Sequence, residues 1–247
     1  MTQKPVRVGM LVPSSNTVLE PYTSAMFSAL GDTASVHYAR FKAVEISMSS
    51  ASRGQFDITP ILEAAERLAE TEPDLIVWNG TSASWLGLET DHALCAAITD
   101  RTGVPATSTS LAFDALFRGM GLARIGVVTP YLPEIQTRII ERFATRGITV
   151  VAEAHLSDKG NHSFASYGPD VVAGLVRDVA REGPEAIAII CTNFRGAGVA
   201  AALEAELSVP VIDSVSVTAA YAMHRTGLGP SAVHGWGSVF LRAAYFV

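Results

Sequence analysis

A cysteine stands at the end of a strongly apolar segment in the second half of the chain. Residues 186–190 are all apolar and lack helical spacing, and Cys191, Thr192 and Asn193 follow them directly. Such a segment is typical of a buried parallel strand, whose carboxyl end faces the ligand crevice of an open α/β sheet. Cys191 is therefore a candidate catalytic thiol, although a free cysteine is also often a buried packing residue.

The same pattern occurs once more in the first half of the chain. Residues 73–82 again run from a Pro-acid pair through apolar residues to small polar ones, and Gly80 takes the place of Cys191. Similar flanking segments repeat at 8–13 and 125–130, and at 103–108 and 208–213. Two copies are too few for a solenoid, so the repeat predicts a duplicated α/β domain.

We therefore predict an α/β fold of two pseudo-symmetric Rossmann-like halves, each a mostly parallel sheet flanked by helices. The first half is expected at 1–112 and the second at 113–216, and the C-terminal segment 217–247 is expected to pack back on the first half. A cleft between two such halves is the default place for a small ligand. The elements that follow each strand must then position the polar groups of the site.

The loop after the first strand of each predicted half contains candidate site residues. The backbone amides and side chains of the loop 13–17, Pro-Ser-Ser-Asn-Thr, can bind a carboxylate oxygen, but Ser15, Asn16 or Thr17 can equally cap the helix that follows. Tyr131 follows the strand at 125–129 and is expected to direct its phenol at the crevice, unless it is an interface or capping aromatic. The Ser-rich loop 42–56 could close over a ligand or be an ordinary surface loop.

Length and composition restrict the class of protein. The chain has 247 residues, of which 49% are hydrophobic and 17% charged, so it is long and apolar enough for a large core. A net charge of −6 predicts neither a nucleic-acid nor an anionic-membrane partner. Two cysteines and no signal-peptide or membrane-spanning segment favour a cytoplasmic protein. The sequence leaves a homo-oligomer open.

Several other kinds of site are disfavoured. The histidines lack the spacing of metal ligands, so no metal is expected. Residues 196–201 match a G-x-G-x-x-A pattern, but they do not follow their strand immediately, as a dinucleotide site requires. Glycines that let a helix pack closely on its sheet explain that pattern as well. No serine stands in a G-x-S-x-G elbow.

The strand-end motifs resemble a known family. They are the Val-Pro-Ser-Ser-Asn-Thr loop at 12–17, Gly80-Thr81-Ser82, Thr129-Pro130-Tyr131 and Cys191, and together they resemble the aspartate/glutamate racemase superfamily. The likeness covers nearly the whole chain and is closest to the branch of maleate isomerase and arylmalonate decarboxylase. In racemases and maleate isomerase a cysteine from each half flanks the substrate, whereas the decarboxylase has glycine in the first half. Gly80 and Cys191 follow the decarboxylase arrangement.

This resemblance implies a decarboxylase that uses no cofactor and acts on a substituted, malonate-like dicarboxylic acid. Thr81, Ser82 and Tyr131 would stabilise the enediolate as an oxyanion hole, and Cys191 would protonate it on one face as a thiol. Small carboxylates or dicarboxylates would be the partners. The residues expected to bind the substrate are Pro13, Ser14, Ser15, Asn16, Gly80, Asn161, Thr192 and Asn193.

Two alternatives stay open. Asn16 and Asn161 look like carboxylate-binding asparagines of maleate isomerase, so Cys191 could instead serve as the nucleophile of a cis-trans isomerase. A non-catalytic carboxylate-binding protein would explain the lack of a second cysteine.

Overall fold

The computed structural model describes residues 4–42 and 58–247. Two four-stranded parallel sheets, flanked by helices, form the two halves that the repeat predicts. This confirms the predicted fold. The elements of the first half are β1 (Val6–Pro13), α1 (Leu19–Ser28), β2 (Ala34–Phe41), α2 (Thr59–Ala69), β3 (Leu75–Trp78), α3 (Ala83–Leu86), α4 (Leu88–Thr102), β4 (Ala106–Ser108) and α5 (Thr109–Met120). Those of the second half are β5 (Arg124–Thr129), α6 (Pro133–Ala144), β6 (Thr149–His155), α7 (Pro169–Ala180), β7 (Ala186–Ile189), α8 (Ala197–Leu207), β8 (Val211–Asp213) and α9 (Ser214–Arg225).

The two sheets have the same strand order. The first is β2-β1-β3-β4 and the second is β6-β5-β7-β8, so β3 and β7 occupy equivalent inner positions. In the first sheet Trp78 pairs with Leu11 and Ser108, and in the second Ile189 pairs with Val128 and Asp213. The chain therefore leaves both inner strands at equivalent points, two residues before Gly80 and Cys191.

Residues at the ends of the outer strands β4 and β8 cap the helices that follow. Ser108 Oγ accepts a hydrogen bond of 3.1 Å from the Leu111 amide at the start of α5. Asp213 Oδ1 accepts hydrogen bonds of 2.7 and 3.2 Å from the Val215 and Ser216 amides at the start of α9. These side chains satisfy amide groups that a helix start would otherwise leave without partners.

A glycine allows α8 to begin close to the second sheet. A Cβ atom at Gly196 would lie 2.8 Å from Ile189 Cδ1 and would overlap the carboxylate of Asp213. Real Cβ atoms do not approach other groups so closely, so any larger residue would push the helix outward. Close helix-sheet packing thus accounts for the start of the glycine pattern at 196–201.

The hydrophobic core joins the two halves. Its largest cluster contains buried strand residues of both sheets, for example Met10 and Val127, together with the buried face of α9. Helix α9 packs on α1, α5 and β3 of the first half as well as on β8. The division of the chain at residues 112 and 216 into domains stays a prediction.

Short 3-10 turns bring the C-terminal tail back onto the body of the protein. They cover Pro230–Ala232, Ser238–Leu241 and Ala243–Tyr245, and they contact α5, α9 and β8. The Arg118 guanidinium on α5 donates a 2.9 Å hydrogen bond to the Val247 carbonyl oxygen. No helix in the described part of the chain is long and apolar enough to cross a membrane. The Ser-rich loop 42–56, which could close over a ligand or be an ordinary surface loop, lies outside the described residues apart from Lys42.

The contact between Gly119 and the tail predicts a change in stability. A Cβ atom at Gly119 would overlap the Tyr245 carbonyl oxygen, whereas one at Gly174 on α7 would meet no atom of the described residues within 4 Å. We expect Gly119→Ala to lower the free energy of unfolding by about 1–3 kcal/mol, because tail or helix must shift. Gly174→Ala should raise it by about 0.5–1 kcal/mol through helix propensity. Urea denaturation of both variants tests this, and equal effects would contradict the tail packing.

Candidate active site

A cavity of about 350 Å³ lies between the two halves, at the carboxyl ends of β1, β3, β5 and β7. The predicted catalytic residues Cys191, Thr81, Ser82 and Tyr131 all line it. Most of the surface that lines the cavity is apolar. The complete lining consists of Pro13, Ser15, Phe41, Trp78, Asn79, Gly80, Thr81, Ser82, Trp85, Tyr131, Leu132, Ile135, Asp158, Lys159, Gly160, Asn161, Phe164, Cys191 and Thr192.

The backbone of Cys191 is fixed by the neighbouring strand end. Its amide donates a 3.0 Å hydrogen bond to Ser214 Oγ, which in turn donates a 2.9 Å hydrogen bond to the Ile189 carbonyl oxygen. Ser214 begins α9 immediately after β8, so the cap of that helix and the position of the thiol are set together. The side chain is buried, with 3% of its surface exposed.

Burial also determines the protonation state of the thiol. Loss of solvation raises the pKa of Cys191 to about 12, although hydrogen bonds from the Tyr131 hydroxyl and the Asn193 amide oppose this rise. The buried Asp213 carboxylate contributes a further small increase in this pKa. Cys191 is therefore a neutral thiol near pH 7, as a proton donor requires.

Tyr131 and Thr81 bring polar groups from both halves to the same point. Their hydroxyl oxygens are 2.8 Å apart. The ring of Tyr131 packs edge-on against Trp85 at a centroid distance of 5.2 Å and against Phe164 at 5.5 Å. Burial raises the pKa of Tyr131 well above its ordinary value, and so does the adjacent Cys191. Tyr131 therefore stays protonated and can donate a hydrogen bond to an anion.

The Tyr131 backbone is held by a buried polar pair. Thr129 Oγ1 donates to Gln136 Oε1 at 2.8 Å and accepts from the Tyr131 amide at 3.2 Å. Both partners lie inside the second half, Thr129 at the end of β5 and Gln136 on α6. The Tyr131 backbone is thus held by its own half, whereas its ring contacts Trp85 and its hydroxyl contacts Thr81 of the other half.

Amide and hydroxyl side chains join the two halves beside the cavity. Asn16 Nδ2 donates to Thr192 Oγ1 at 3.1 Å, and Thr192 Oγ1 donates to the Asn79 carbonyl oxygen at 3.2 Å. The Thr17 amide donates to Asn193 Oδ1 at 2.9 Å. We call the hydrogen bonds of Asn16, Asn79, Thr192 and Asn193 the inter-half hydrogen bonds. These hydrogen bonds orient the loop after β1 against the loop that carries Cys191.

The predicted substrate-binding residues fall into two groups. Pro13, Ser15, Gly80, Asn161 and Thr192 line the cavity, whereas Ser14, Asn16 and Asn193 do not. Asn16 Oδ1 accepts 3.0 Å hydrogen bonds from the Val18 and Leu19 amides, which is the helix-capping role weighed from the sequence. Asn161 Nδ2 donates to Ser15 Oγ at 2.9 Å, so these two form a polar side of the cavity. Their binding of a substrate stays a prediction.

Several wall residues could not be chosen from sequence. They are Phe41, Trp78, Asn79, Trp85, Leu132, Ile135, Asp158, Lys159, Gly160 and Phe164. The sequence does mark Leu132 and Ile135, because Leu132 directly follows Tyr131 and Ile135 lies on the first turn of α6. No comparable pattern marked Phe164, which lies in a short 3-10 helix, Ser163–Ser166. Among residues 4–42 and 58–247, no group of three or more His, Cys, Asp or Glu side chains could hold a metal ion.

The chain is similar to known proteins in sequence and in fold. A family model described as arylmalonate decarboxylase matches residues 8–240. The arylmalonate decarboxylase of Bordetella bronchiseptica is 23% identical over 238 residues, which cover 94% of this chain and 95% of that protein. Two maleate isomerase structures share the fold. That of Pseudomonas putida S16 with maleate has a TM-score of 0.85 and 21% identity, covering 97% of this chain and 99% of that one. That of Nocardia farcinica with a covalent succinylcysteine intermediate has a TM-score of 0.83 and 20% identity, covering 95% and 98%.

The buried environment of Cys191 predicts its titration. In a Cys95→Ala variant Cys191 is the single thiol of the chain. We expect no thiolate absorbance in the native variant between about pH 7 and pH 10, because burial raises the thiol pKa to about 12. The same variant in denaturant should ionise near about pH 8.5 and serves as the control. A native titration near that ordinary value would contradict the assigned environment.

Proposed function

The chain belongs to the arylmalonate decarboxylase family, and on that premise we propose that it is a cofactor-independent decarboxylase of a substituted malonate-like diacid. Its relatives include a decarboxylase and isomerases, so the chain is an enzyme of the lyase or isomerase class. The choice of decarboxylation is supported by one observation above all. The cavity has a single, neutral thiol at Cys191, and the equivalent position of the other half is Gly80.

The polar groups around Tyr131 would bind the carboxylate that the substrate keeps. Thr81, Ser82 and Tyr131 offer hydroxyl groups on one side of the cavity. When the bond to the other carboxylate breaks, carbon dioxide leaves and the electron pair passes into an enediolate on the retained carboxyl group. Hydrogen bonds to the growing charge lower the barrier, since the donors are already oriented and largely shielded from water.

Cys191 would complete the reaction as a general acid. Its thiol transfers a proton to the former α-carbon, the enediolate returns to a carboxylate, and the resulting thiolate regains a proton from water. The enediolate carbon is a strong base, so a thiol with a pKa of about 12 can still protonate it. The Tyr131 hydroxyl and the Asn193 amide would stabilise the transient thiolate.

The second candidate is a cis-trans isomerase of maleate or a similar diacid. Ser15, Asn161 and Lys159 form a polar side of the cavity that could bind a second carboxylate. This reaction would need Cys191 as a nucleophile, yet burial disfavours its thiolate, and Gly80 has no side chain to replace it. A carboxylate-binding protein without catalysis is the third candidate.

Incubation with a 2-arylmalonate and, separately, with maleate distinguishes these candidates. We expect carbon dioxide release from the malonate and no fumarate from maleate. Cys191→Ala should abolish release, while Cys95→Ala should keep it because Cys95 lies in α4 away from the cavity wall. Fumarate without carbon dioxide would favour the isomerase. Binding of both acids without either product would favour the third candidate.

Removal of the Tyr131 hydroxyl tests the oxyanion hole. Tyr131→Phe should lower kcat about a hundredfold to a thousandfold with a smaller change in KM, because the hydroxyl acts on charge that develops in the transition state. Tyr245→Phe removes an exposed phenol of the tail and should leave both constants unchanged. A raised KM at unchanged kcat in Tyr131→Phe would restrict that residue to substrate binding.

A further inference from the structure

The indole ring of Trp78 occupies the space that a side chain at position 80 would need. A Cβ atom built on Gly80 would overlap Trp78 at Cε2, Cζ2 and Nε1. The backbone of Gly80 is not in the left-handed region, so its conformation is open to other residues. The glycine is therefore required by the neighbouring ring and not by the turn itself.

Packing holds Trp78 in this position. Its side chain is buried, and its ring contacts Phe41 at a centroid distance of 5.1 Å. The buried Asp91 carboxyl faces the indole, and burial raises its pKa to about 6 while Ser108, Ser110 and Trp78 oppose that rise. Among residues 4–42 and 58–247, no group accepts a hydrogen bond of good geometry from Trp78 Nε1, so packing of the ring is the main restraint that these residues supply.

The two halves have side chains of different size at equivalent positions. Trp78 ends β3 two residues before Gly80, and Ile189 ends β7 two residues before Cys191. In the second half the smaller Ile189 stands two residues before Cys191, which lines the cavity. In the first half a large ring reaches the cavity and the later residue has no side chain. The Trp-Gly pair thus replaces the Ile-Cys pair.

We propose that Trp78 is a specificity-determining residue that closes the Gly80 side of the cavity to acids and water, so that protons reach the substrate only from Cys191. This inference rests on the proposed decarboxylation. Trp78 and Gly80 both line the catalytic cavity, and Trp78 borders a second cavity of about 180 Å³ with Ser82, Asp91 and Leu94. The indole therefore separates the two spaces. Its N–H is too weak an acid to protonate the substrate in place of a thiol.

The first test measures coupling between Trp78 and Gly80 without any substrate. Gly80→Ala should lower the Tm of the native protein by about 2–10 °C, because its Cβ overlaps a buried ring. In a Trp78→Leu background the same change should lower the Tm much less. Gly174→Ala, whose Cβ would meet no atom within 4 Å in the part of the chain that the structure describes, is the additive control in both backgrounds. Equal losses for Gly80→Ala in both backgrounds would overturn the assignment, since the ring would then move aside, for example into the second cavity.

The second test measures stereochemistry. Native protein should convert a prochiral 2-aryl-2-methylmalonate mainly into one enantiomer. Trp78→Leu should lower the enantiomer ratio about tenfold or more, because the shorter side chain lets water reach the opposite face. An unchanged ratio in a folded, active Trp78→Leu variant would overturn the proposal.

A third measurement adds a second thiol. Gly80→Cys/Trp78→Leu should exchange the α-hydrogen of both enantiomers of a 2-arylpropionate with solvent deuterium, and Gly80→Cys alone should exchange them at least tenfold more slowly. Equal exchange by both variants would contradict the closure by Trp78. If no variant releases carbon dioxide from malonates, the proposed function fails, and the Tm coupling then still decides whether Trp78 fills the position of residue 80.

Discussion

Burial of the Cys191 thiol between two halves is the constraint on which the rest of the site depends. A neutral thiol is needed for proton donation, and it is maintained at neutral pH because the low-polarity surroundings raise its pKa. The two residues that follow Cys191 also contact the first half, through Thr192 and Asn193. The inter-half hydrogen bonds and the packing of α9 on both halves hold the two halves together. The contacts that join the two halves therefore also position the loop that carries Cys191.

The two halves share one framework, so the positions at which their side chains differ are informative. A duplicated framework brings equivalent strand ends to one cavity, and in each half the loop after the first strand contributes to the cavity wall. The halves then differ in what they present there. The first supplies Thr81, Ser82 and an apolar ring, while the second supplies a phenol and a thiol. One side can bind and stabilise charge, and the other can also deliver a proton, which suits a reaction that protonates a carbanion on one face.

Much of this arrangement could be predicted from the sequence. The strand pattern repeats in both halves, so the two sheets, their parallel strands and the convergence of Thr81, Tyr131 and Cys191 on one cavity followed from periodicity and resemblance. The wall could not be predicted, because Phe41, Phe164 and Trp85 reach the cavity through tertiary packing and have no distinctive local pattern. The role of Asn16 could not be predicted from the sequence either. Its amide can either cap a helix or bind a ligand, and only the three-dimensional contacts reveal that its oxygen caps α1.

The central claim is that Cys191 acts as a neutral acid, and the pH dependence of turnover tests it most directly. With a saturating 2-arylmalonate, a thiol whose pKa is about 12 stays protonated, so kcat should be constant from about pH 7 to pH 10. Cys191→Ala, measured in parallel, gives the background rate. A kcat that falls with an apparent pKa near about 8.5 would contradict the buried thiol, and one that rises through that range would indicate a thiolate nucleophile instead.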